Sequence, residues 1–322
     1  MKQIVLKEIE NFISQEIDAP KPSDTEALVK IKSIGVCGTD LHAFVGRQPF
    51  FDYPRVLGHE LGVEVVQAPK GCDLQPGDRC AIEPYIACGH CHSCQQNRSN
   101  CCQSLQVMGV HIDGGMQEWF TVDPGRLYKS DKLSFDQLAL VETLGIGANA
   151  VKRSQVQSGQ KVLIVGAGPI GLAVLQFALA EGADVTVLDV TQSRLDFAEQ
   201  LGGKPQTNVG EELYEVVFDA TGNKAAMEKS FHSVNFAGKL VLVGLIQGDI
   251  SFHDPTFHRR EMTLLSSRNS FGLFPEIISM IEQGSIDTQP WINHRLSLNQ
   301  VTSEFKSLRQ RPNLIKAVIE VT

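Results

Sequence analysis

The chain has 322 residues, a length that accommodates two domains of ordinary size. Hydrophobic residues make up 42% and charged residues 20%, as in a typical globular protein. The formal net charge of −8 disfavours nucleic acid or an anionic membrane as a partner. Since the sequence has no apolar run of membrane-spanning length and no secretory signal, we expect a cytoplasmic protein.

The first part of the chain, up to the vicinity of Val141, predicts short strands separated by glycine and proline. The N-terminal segment is interpreted as a first strand, and further β-like runs occupy residues 27–33, 62–66 and 77–82. Regular turn signals between short strands are typical of an all-β unit or a partly open barrel.

Two metal sites are predicted within this part. The first has the spacing C-x2-C-x2-C-x7-C, which suits a closed, structural zinc site better than disulfides in a chain of this kind. Its ligands are Cys88, Cys91, Cys94 and Cys102, with Cys101 as a competitor for the last position.

The second site needs an open position for a substrate oxygen, which mixed ligands leave and four thiolates do not. Cys37 and His59 offer a thiolate and an imidazole. Glu60 either binds zinc or holds its water, and Glu142 is the candidate for a further ligand. Taken singly, each residue also has an ordinary structural interpretation, as a buried thiol, a loop histidine or a surface charge.

From Lys161 the pattern alternates strand, glycine-rich turn, helix and strand, which indicates a parallel sheet with crossover helices. Strands are expected at residues 161–165, 184–189, 215–219, 239–244 and 262–266. Helices are expected at residues 172–180 and 274–283. The segment 314–321 returns to strand character, and we expect it to pair with the first domain.

A dinucleotide site is predicted where Gly166, Gly168 and Gly171 form G-x-G-x-x-G between a strand and a helix. The helix N-terminus attracts the pyrophosphate. Asp189 is expected to accept hydrogen bonds from the adenosine ribose, which favours NAD over NADP. Arg194 packs against the adenine or reduces the repulsion of a 2′-phosphate. The alternative is a glycine turn without ligand, with Asp189 as a helix cap.

Together these motifs resemble the zinc-dependent medium-chain alcohol dehydrogenase family over nearly the whole chain. The resemblance implies an α/β plus β fold, with a GroES-like β-barrel catalytic domain, a doubly wound Rossmann domain and the active site in the cleft between them. The implied domains are residues 1–146, residues 147–270 for NAD, and a return of 271–322 to the catalytic domain. The motifs that carry the resemblance are Gly35–His42, Gly58–Glu60, the four cysteines, Asp113–Gly115 and Gly166–Gly171.

The resemblance also implies roles for individual residues. Glu142 matches a glutamate used in the sorbitol dehydrogenase branch. Thr39 matches the hydroxyl that takes the alcohol proton, and His42 the histidine that passes it to solvent, although His42 as an ordinary surface histidine stays open. Arg295 resembles an arginine near the pyrophosphate, with a surface ion pair as the alternative. The implied cofactor residues are Gly166, Gly168, Pro169, Ile170, Gly171, Asp189, Arg194, Thr221 and Arg295.

Within the family, segments 257–269 and 293–295 resemble polyol and sugar-acid dehydrogenases. We therefore expect a homodimeric or homotetrameric enzyme with two zinc ions per chain and NAD. It would oxidise a secondary alcohol of a polyol or sugar acid to a ketone. The alternatives are a threonine or amino-alcohol dehydrogenase, and a non-catalytic homologue that binds NAD and zinc. Candidate pocket residues are Phe50, Phe51, Tyr53 and Trp119.

One segment departs from the family pattern. Residues 203–214 replace a strand and a helix, but a crossover with its helix needs at least about 10–12 residues. We expect a stub of a third strand and a missing surface helix.

Overall fold

The computed structural model describes residues 1–49, 51–311 and 313–322. The chain forms two compact units. The first joins Met1–Glu142 to Phe274–Thr322, and the second is Thr143–Leu273. The divisions therefore follow residues 142 and 273, where the sequence led us to expect 146 and 270.

Strands and helices are numbered in chain order. The strands are β1 Lys2–Glu8, β2 Asn11–Glu16, β3 Ala27–Gly35, β4 Glu60–Gln67, β5 Arg79–Ile82, β6 Tyr85–Ile86, β7 Gln106–Val107, β8 Trp119–Val122, β9 Leu127–Lys129, β10 Lys161–Val165, β11 Asp184–Leu188, β12 Lys204–Gln206, β13 Tyr214–Asp219, β14 Val234–Leu242, β15 Thr263–Ser266, β16 Ile292–Ser297 and β17 Lys316–Glu320. The helices are α1 Gly38–Phe44, α2 His92–Gln95, α3 Phe135–Ser154, α4 Pro169–Ala180, α5 Gln192–Gln200, α6 Lys224–Ser230, α7 Asp254–Arg259, α8 Phe274–Glu282 and α9 Val301–Leu308. Within the described residues, none of these helices has the length and apolarity needed to cross a membrane.

The first unit is built on a mostly antiparallel sheet with the order β16-β17-β3-β4-β5-β9, and β8 also pairs with β3. The central strand β3 shows the alternating burial that is typical of a strand with one face on the core. Ala27, Val29 and Ile31 are buried, while the residues between them are partly exposed. The C-terminal strand β17 pairs antiparallel with β3 and places Val318 opposite Gly35. The C-terminal segment therefore returns to the sheet of the first unit, as the sequence led us to expect.

An aromatic cluster fixes helix α1 in this unit. The rings of Phe12, Phe44 and Phe305 lie with centroids 5.0–5.4 Å apart, and all three side chains are buried. Such ring pairs add to the free energy gained from burying apolar area. The cluster joins β2, α1 and α9, so the face of α1 that carries polar side chains has a fixed position.

The second unit contains a parallel sheet with the order β12-β11-β10-β13-β14-β15. The alternating pattern predicted a parallel sheet, and this strand order is the doubly wound one that the family resemblance implies. The central strand β10 is buried from Val162 to Val165, as expected when helices cover both faces of a sheet. Helix α4, which follows the glycine-rich turn, is buried over Gly171–Ala178.

The shortened segment behaves as predicted. Strand β12 has three residues and pairs only with β11 at the sheet edge. The chain then runs from Gln206 to Tyr214 without a helix in this described stretch. Because β13 lies on the far side of β11 and β10, the connection crosses two strands as extended chain, and the helix of an ordinary crossover is missing.

Candidate active site

The four predicted cysteine ligands converge in one loop. The Sγ atoms of Cys88, Cys91, Cys94 and Cys102 all lie within 4.8 Å of one another. The Cys91 N–H donates to the Cys88 thiol over 3.4 Å, and the Cys88 N–H donates to Cys102 over 3.3 Å. The backbone N–H groups of His90 and Cys91 lower the pKa of Cys88 to about 6. The loop therefore favours the thiolate at Cys88, the form that binds metal, whereas burial raises the pKa of Cys94.

Cys101, the competing cysteine, points elsewhere. Its side chain is exposed, and its thiol has Arg98 as a neighbour at 4.0 Å. Among the described residues it does not join the group of four. The geometry thus selects Cys102, as the family spacing implies.

A second cluster forms from two distant segments. One potential ligand atom each of Cys37, His59 and Glu60 lies within 4.8 Å of the others. Strand β3 ends at Gly35, Cys37 caps α1, and Glu60 opens β4. Because Gly35 pairs directly with Glu60 in the β3–β4 ladder, sheet register brings these segments together.

Gly35 has a specific function in this cluster. A Cβ atom at this position would lie 1.9 Å from Oε2 of Glu60. Any side chain at position 35 would displace the Glu60 carboxylate. Only glycine is therefore compatible with the present position of this carboxylate.

Asp40 orients the histidine. Its side chain is fully buried, and Oδ2 accepts a 2.9 Å hydrogen bond from the Cys37 N–H. The other oxygen, Oδ1, lies 3.6 Å from Nδ1 of His59. A carboxylate behind a ligating histidine fixes its ring orientation. The sequence analysis quoted Asp40 within its motif and missed this contact.

The electrostatics of the cluster favour a cation. Burial alone would lower the pKa of His59, but Asp40 and Cys37 outweigh it and raise the pKa well above its usual value. Four buried or half-buried groups that can be anionic surround this point, namely Cys37, Asp40, Glu60 and Glu142. These four potential anions outnumber the buried cation Lys316 beside Glu60, and a divalent cation would compensate the difference, so the residues present fit a zinc ion.

Glu142 lies near the cluster without joining the group of three in the described residues. It is buried, and Tyr85 donates its hydroxyl hydrogen to Oε1. Burial raises the pKa of Glu142, and the charge on His59 partly offsets this. Its role as a zinc ligand stays a prediction, and Tyr85 is a partner that sequence analysis did not anticipate.

Lys316 is a third residue whose contact sequence analysis missed. It lies in β17, is 2% exposed, and places Nζ 2.5 Å from Oε1 of Glu60. The available signal was a lysine inside the apolar run from Leu314 to Val321. Charged side chains are buried only when they are paired.

The Asp113–Gly115 motif supports the histidine loop. The Gly115 N–H donates to the Gly58 carbonyl over 2.9 Å, and Asp113 Oδ1 accepts from the Val56 N–H over 3.0 Å. A Cβ on Gly114 would lie 2.2 Å from the Gly58 oxygen. The two backbones therefore pack together directly, which fixes the loop that presents His59.

Thr39 and His42 both lie in α1, three residues apart, and so occupy one face of the helix. Thr39 is half-buried and His42 is exposed. Partial burial, together with Arg309 and Arg47, lowers the pKa of His42. The imidazole is therefore neutral at neutral pH and can accept a proton.

The predicted dinucleotide turn has the geometry that its glycines suggest. Gly166 has a φ of +100°, which favours glycine. A Cβ on Gly171 would lie 1.8 Å from the Gly166 carbonyl oxygen, so helix α4 approaches the turn closely. The helix begins at Pro169, with Ile170 in its first turn. Its free N–H groups suit a phosphate.

Asp189 and Thr221 flank this turn. Asp189 accepts hydrogen bonds from the N–H groups of Ala167 at 2.7 Å and Thr191 at 2.8 Å. The Thr221 side chain lies against Gly166, and its hydroxyl donates to Asp219. Arg194 of α5 has a buried Nε without a hydrogen-bond partner among the described residues. The structure thus brings these predicted residues to the same end of the sheet.

Arg295 has carboxylate partners within the first unit. Its guanidinium contacts Asp136 at 2.6 Å and Glu320 at 2.9 Å. These contacts correspond to the surface ion pair that the sequence left open. A role for Arg295 in cofactor binding stays a prediction.

The predicted pocket aromatics are partly described. Phe50 lies outside the described residues. The rings of Phe51 and Tyr53 meet edge to face with centroids 4.9 Å apart, and Tyr53 donates to the Ala43 carbonyl. Trp119 lies in β8 opposite Lys30. Their contact with a substrate stays a prediction.

Two family models match the chain. Residues 23–132 match the alcohol dehydrogenase GroES-like domain, and residues 169–283 match the zinc-binding dehydrogenase model. The first match lies within the first unit and the second spans most of the second unit, and together they confirm the predicted fold class.

Individual relatives extend over almost the full length. L-galactonate-5-dehydrogenase from Escherichia coli K12 is 37% identical over 99% of this chain and 98% of that protein. An alcohol dehydrogenase structure from E. coli CFT073 in complex with NADH has a TM-score of 0.93 at 28% identity, covering 99% of both chains. A structure from Sinorhizobium meliloti 1021, described as a zinc-binding dehydrogenase bound to NADP, has a TM-score of 0.92 at 26% identity and covers 99% of this chain and 98% of that one. The chain therefore belongs to the zinc-dependent medium-chain alcohol dehydrogenase family.

Proposed function

We propose that the protein is an NAD-dependent zinc oxidoreductase that oxidises a secondary alcohol of a polyol or sugar acid to a ketone. The observation that carries this proposal is the convergence of Cys37, His59 and Glu60 in one cluster with an excess of acidic groups. The similarity of the chain to a relative named L-galactonate-5-dehydrogenase supports the proposed substrate class.

Zinc is proposed at both clusters. Cys37, His59 and Glu60, with Glu142 as a further candidate, would hold the ion at the reaction site, and the four cysteines would hold a structural ion. Bound zinc would supply Lewis acidity, which makes an alcohol easier to deprotonate. Asp40 and Lys316 keep the surrounding side chains oriented.

The proton leaves along α1 in this proposal. The Thr39 hydroxyl accepts the proton of the alcohol and passes it toward His42, which lies on the same helical face. His42 is exposed and neutral, so it can release the proton to solvent. Alcohol oxidation needs such a route, because hydride and proton leave the substrate separately.

NAD is the proposed acceptor of the hydride. Asp189 is buried at the end of β11, and its carboxylate faces the turn that suits the pyrophosphate. A carboxylate there accepts ribose hydroxyls and repels a 2′-phosphate. In this proposal the cation of Arg194 reduces this repulsion. We therefore expect the protein to prefer NAD without excluding NADP.

A positive field near His42 supports an anionic ligand. Arg47 and Arg309 are both close enough to lower the pKa of His42. Clustered positive charge attracts carboxylates and phosphates. Among candidate alcohols, this favours a sugar acid over a neutral polyol.

The proposed partners are a small alcohol and further copies of the chain, without nucleic acid or membrane. β15 is an edge strand of the second unit, and its Leu264 is 37% exposed. Exposed edge strands pair readily with another chain, which supports a homodimer or homotetramer. A cytoplasmic location completes the proposal, since reducing conditions keep thiols available for zinc.

A substrate panel tests the proposal. Zinc-loaded protein is mixed with NAD and with hexonates, neutral polyols or L-threonine, and NADH formation is followed by absorbance. We expect turnover with a hexonate or polyol and none in the Cys37→Ser variant. Turnover restricted to L-threonine would favour the amino-alcohol alternative. NAD binding without turnover of any alcohol would indicate a non-catalytic homologue.

A further inference from the structure

Lys316 is a buried cation in the last strand of the chain. Its side chain is 2% exposed, and its Nζ contacts Oε1 of Glu60, which is 1% exposed. The two residues are 256 positions apart in sequence. A buried ion pair of this kind loses most of its hydration, so each partner depends on the other.

Three groups near Lys316 are potential anions or metal ligands. Glu60, Cys37 and Glu142 each favour its charged form, which offsets the effect of burial on its pKa. Strand pairing explains the position. Val318 lies opposite Gly35, and the Val36 N–H donates to the Ala317 carbonyl over 3.0 Å. The antiparallel ladder therefore brings Lys316 level with Cys37.

The two carboxylate oxygens of Glu60 have different surroundings. Oε1 contacts Lys316, while Oε2 occupies the space that a side chain at position 35 would fill. β4 thus carries the carboxylate, β3 supplies the empty space, and β17 supplies the charge. Three adjacent strands fix one side chain within the Cys37–His59–Glu60 cluster.

We propose that Lys316 is a positioning residue that sets the zinc affinity of this cluster by holding the Glu60 carboxylate. The proposal rests on the zinc site of the proposed function. Lys316 does not touch substrate or cofactor in this role; it acts through Glu60. Residues that orient metal ligands typically change metal affinity about 10–100-fold when they are replaced.

The direction in which zinc affinity changes when Lys316 is replaced distinguishes a positioning role from a purely electrostatic one. If Lys316 acted only as a nearby positive charge, its removal would strengthen the binding of a cation. If it positions Glu60, its removal weakens binding, because the carboxylate loses its orientation. The sign of the change in zinc affinity therefore decides between the two.

The test is a chelator competition that measures zinc dissociation constants for both metal clusters. We expect Lys316→Met to weaken the Cys37–His59–Glu60 site about 10–100-fold and to leave the four-cysteine site unchanged. The matched control is Lys129→Met, which removes a lysine of the same sheet whose side chain is 37% exposed and pairs with Asp78. The control should keep both affinities. Unchanged or tighter binding in Lys316→Met overturns the proposal.

A second variant keeps the test decisive if Lys316→Met does not fold. Glu60→Gln/Lys316→Met removes both charges of the pair, so no buried charge is left alone. We expect it to bind zinc no more weakly than Glu60→Gln alone. A further tenfold loss in the double variant would overturn a role through Glu60. In the unsubstituted protein, a single bound zinc per chain would instead overturn the proposed zinc centre itself.

Discussion

At the level of single residues, Gly35 shows how closely the cluster is packed. We predict that Gly35→Ala displaces Glu60, because the added Cβ would lie 1.9 Å from its Oε2. Zinc bound per chain should fall from two ions toward one, as measured by metal analysis after gel filtration. Gly38→Ala is the control, since a Cβ there meets nothing within 4 Å. Two ions in both variants would contradict the prediction.

The pKa of His42 offers a second test at this scale. Burial lowers it first, and Arg309 and Arg47 lower it further. Arg309→Ala removes a positive charge, so the pKa should rise toward its ordinary value. We expect the imidazole titration, followed by NMR, to move to higher pH.

The pH dependence of turnover should shift in the same direction as the pKa of His42. A higher pKa leaves less neutral His42 at a given acidic pH, so the acidic limb of kcat should also move to higher pH. Lys21→Ala, which removes an exposed cation, should leave both profiles in place. An unchanged or lower His42 pKa in Arg309→Ala would show that Arg309 does not act on it.

At the level of elements, the turn between β10 and α4 depends on a side chain from β11. Asp189 accepts the Ala167 N–H and so fixes the turn before any cofactor arrives. We predict that Asp189→Ala weakens NAD binding about tenfold or more, since it removes both the ribose acceptor and this contact. The preference for NAD over NADP, measured as the ratio of the two affinities by fluorescence titration, should become smaller.

The control for this element lies at the other end of the same strand. Asp184 is partly exposed and pairs with Lys204 at 2.6 Å, far along β11 from the turn. Asp184→Ala should leave NAD binding unchanged. If the ratio of NAD to NADP affinity were unchanged in Asp189→Ala, Asp189 would not contribute to the discrimination between NAD and NADP.

Local patterns explain why some elements were predictable. β10, α4 and β11 follow from an apolar run, a glycine turn and a helical period, all read within a few residues. β14 was harder. It begins at Val234 rather than 239, and its early part includes Ala237 with a φ of +56°. β2 went unpredicted because its polar residues become a strand only by pairing with β1.

At the level of the whole molecule, we propose that the two clusters of potential metal ligands serve different purposes. We predict that Cys37→Ser abolishes turnover while the melting temperature stays close to that of the parent protein. Cys91→Ser should instead lower the melting temperature by roughly 5 °C, because a structural zinc site contributes directly to folding. Calorimetry and NADH assays on the same samples distinguish the two. If both variants lost only activity, the division of roles would be wrong.

Much of the site could be predicted because its potential ligands lie in short motifs. Cys37, His59 and the four cysteines were readable from spacing and family resemblance. Lys316 was not, because its partner is 256 residues away and only the register of three strands brings them together. The second contact of Asp40 likewise depends on how the β3–β4 ladder aligns Cys37 with His59.

The discontinuous first unit has a consequence for how each new molecule is made. Translation delivers Thr143–Leu273 in full before the segment Phe274–Thr322 exists. Domains tend to fold as units during synthesis, so the inserted unit can fold while the first unit still lacks β16 and β17. Until Lys316 emerges, Glu60 has no lysine partner. The Cys37–His59–Glu60 cluster is therefore completed only after the inserted unit has been synthesised.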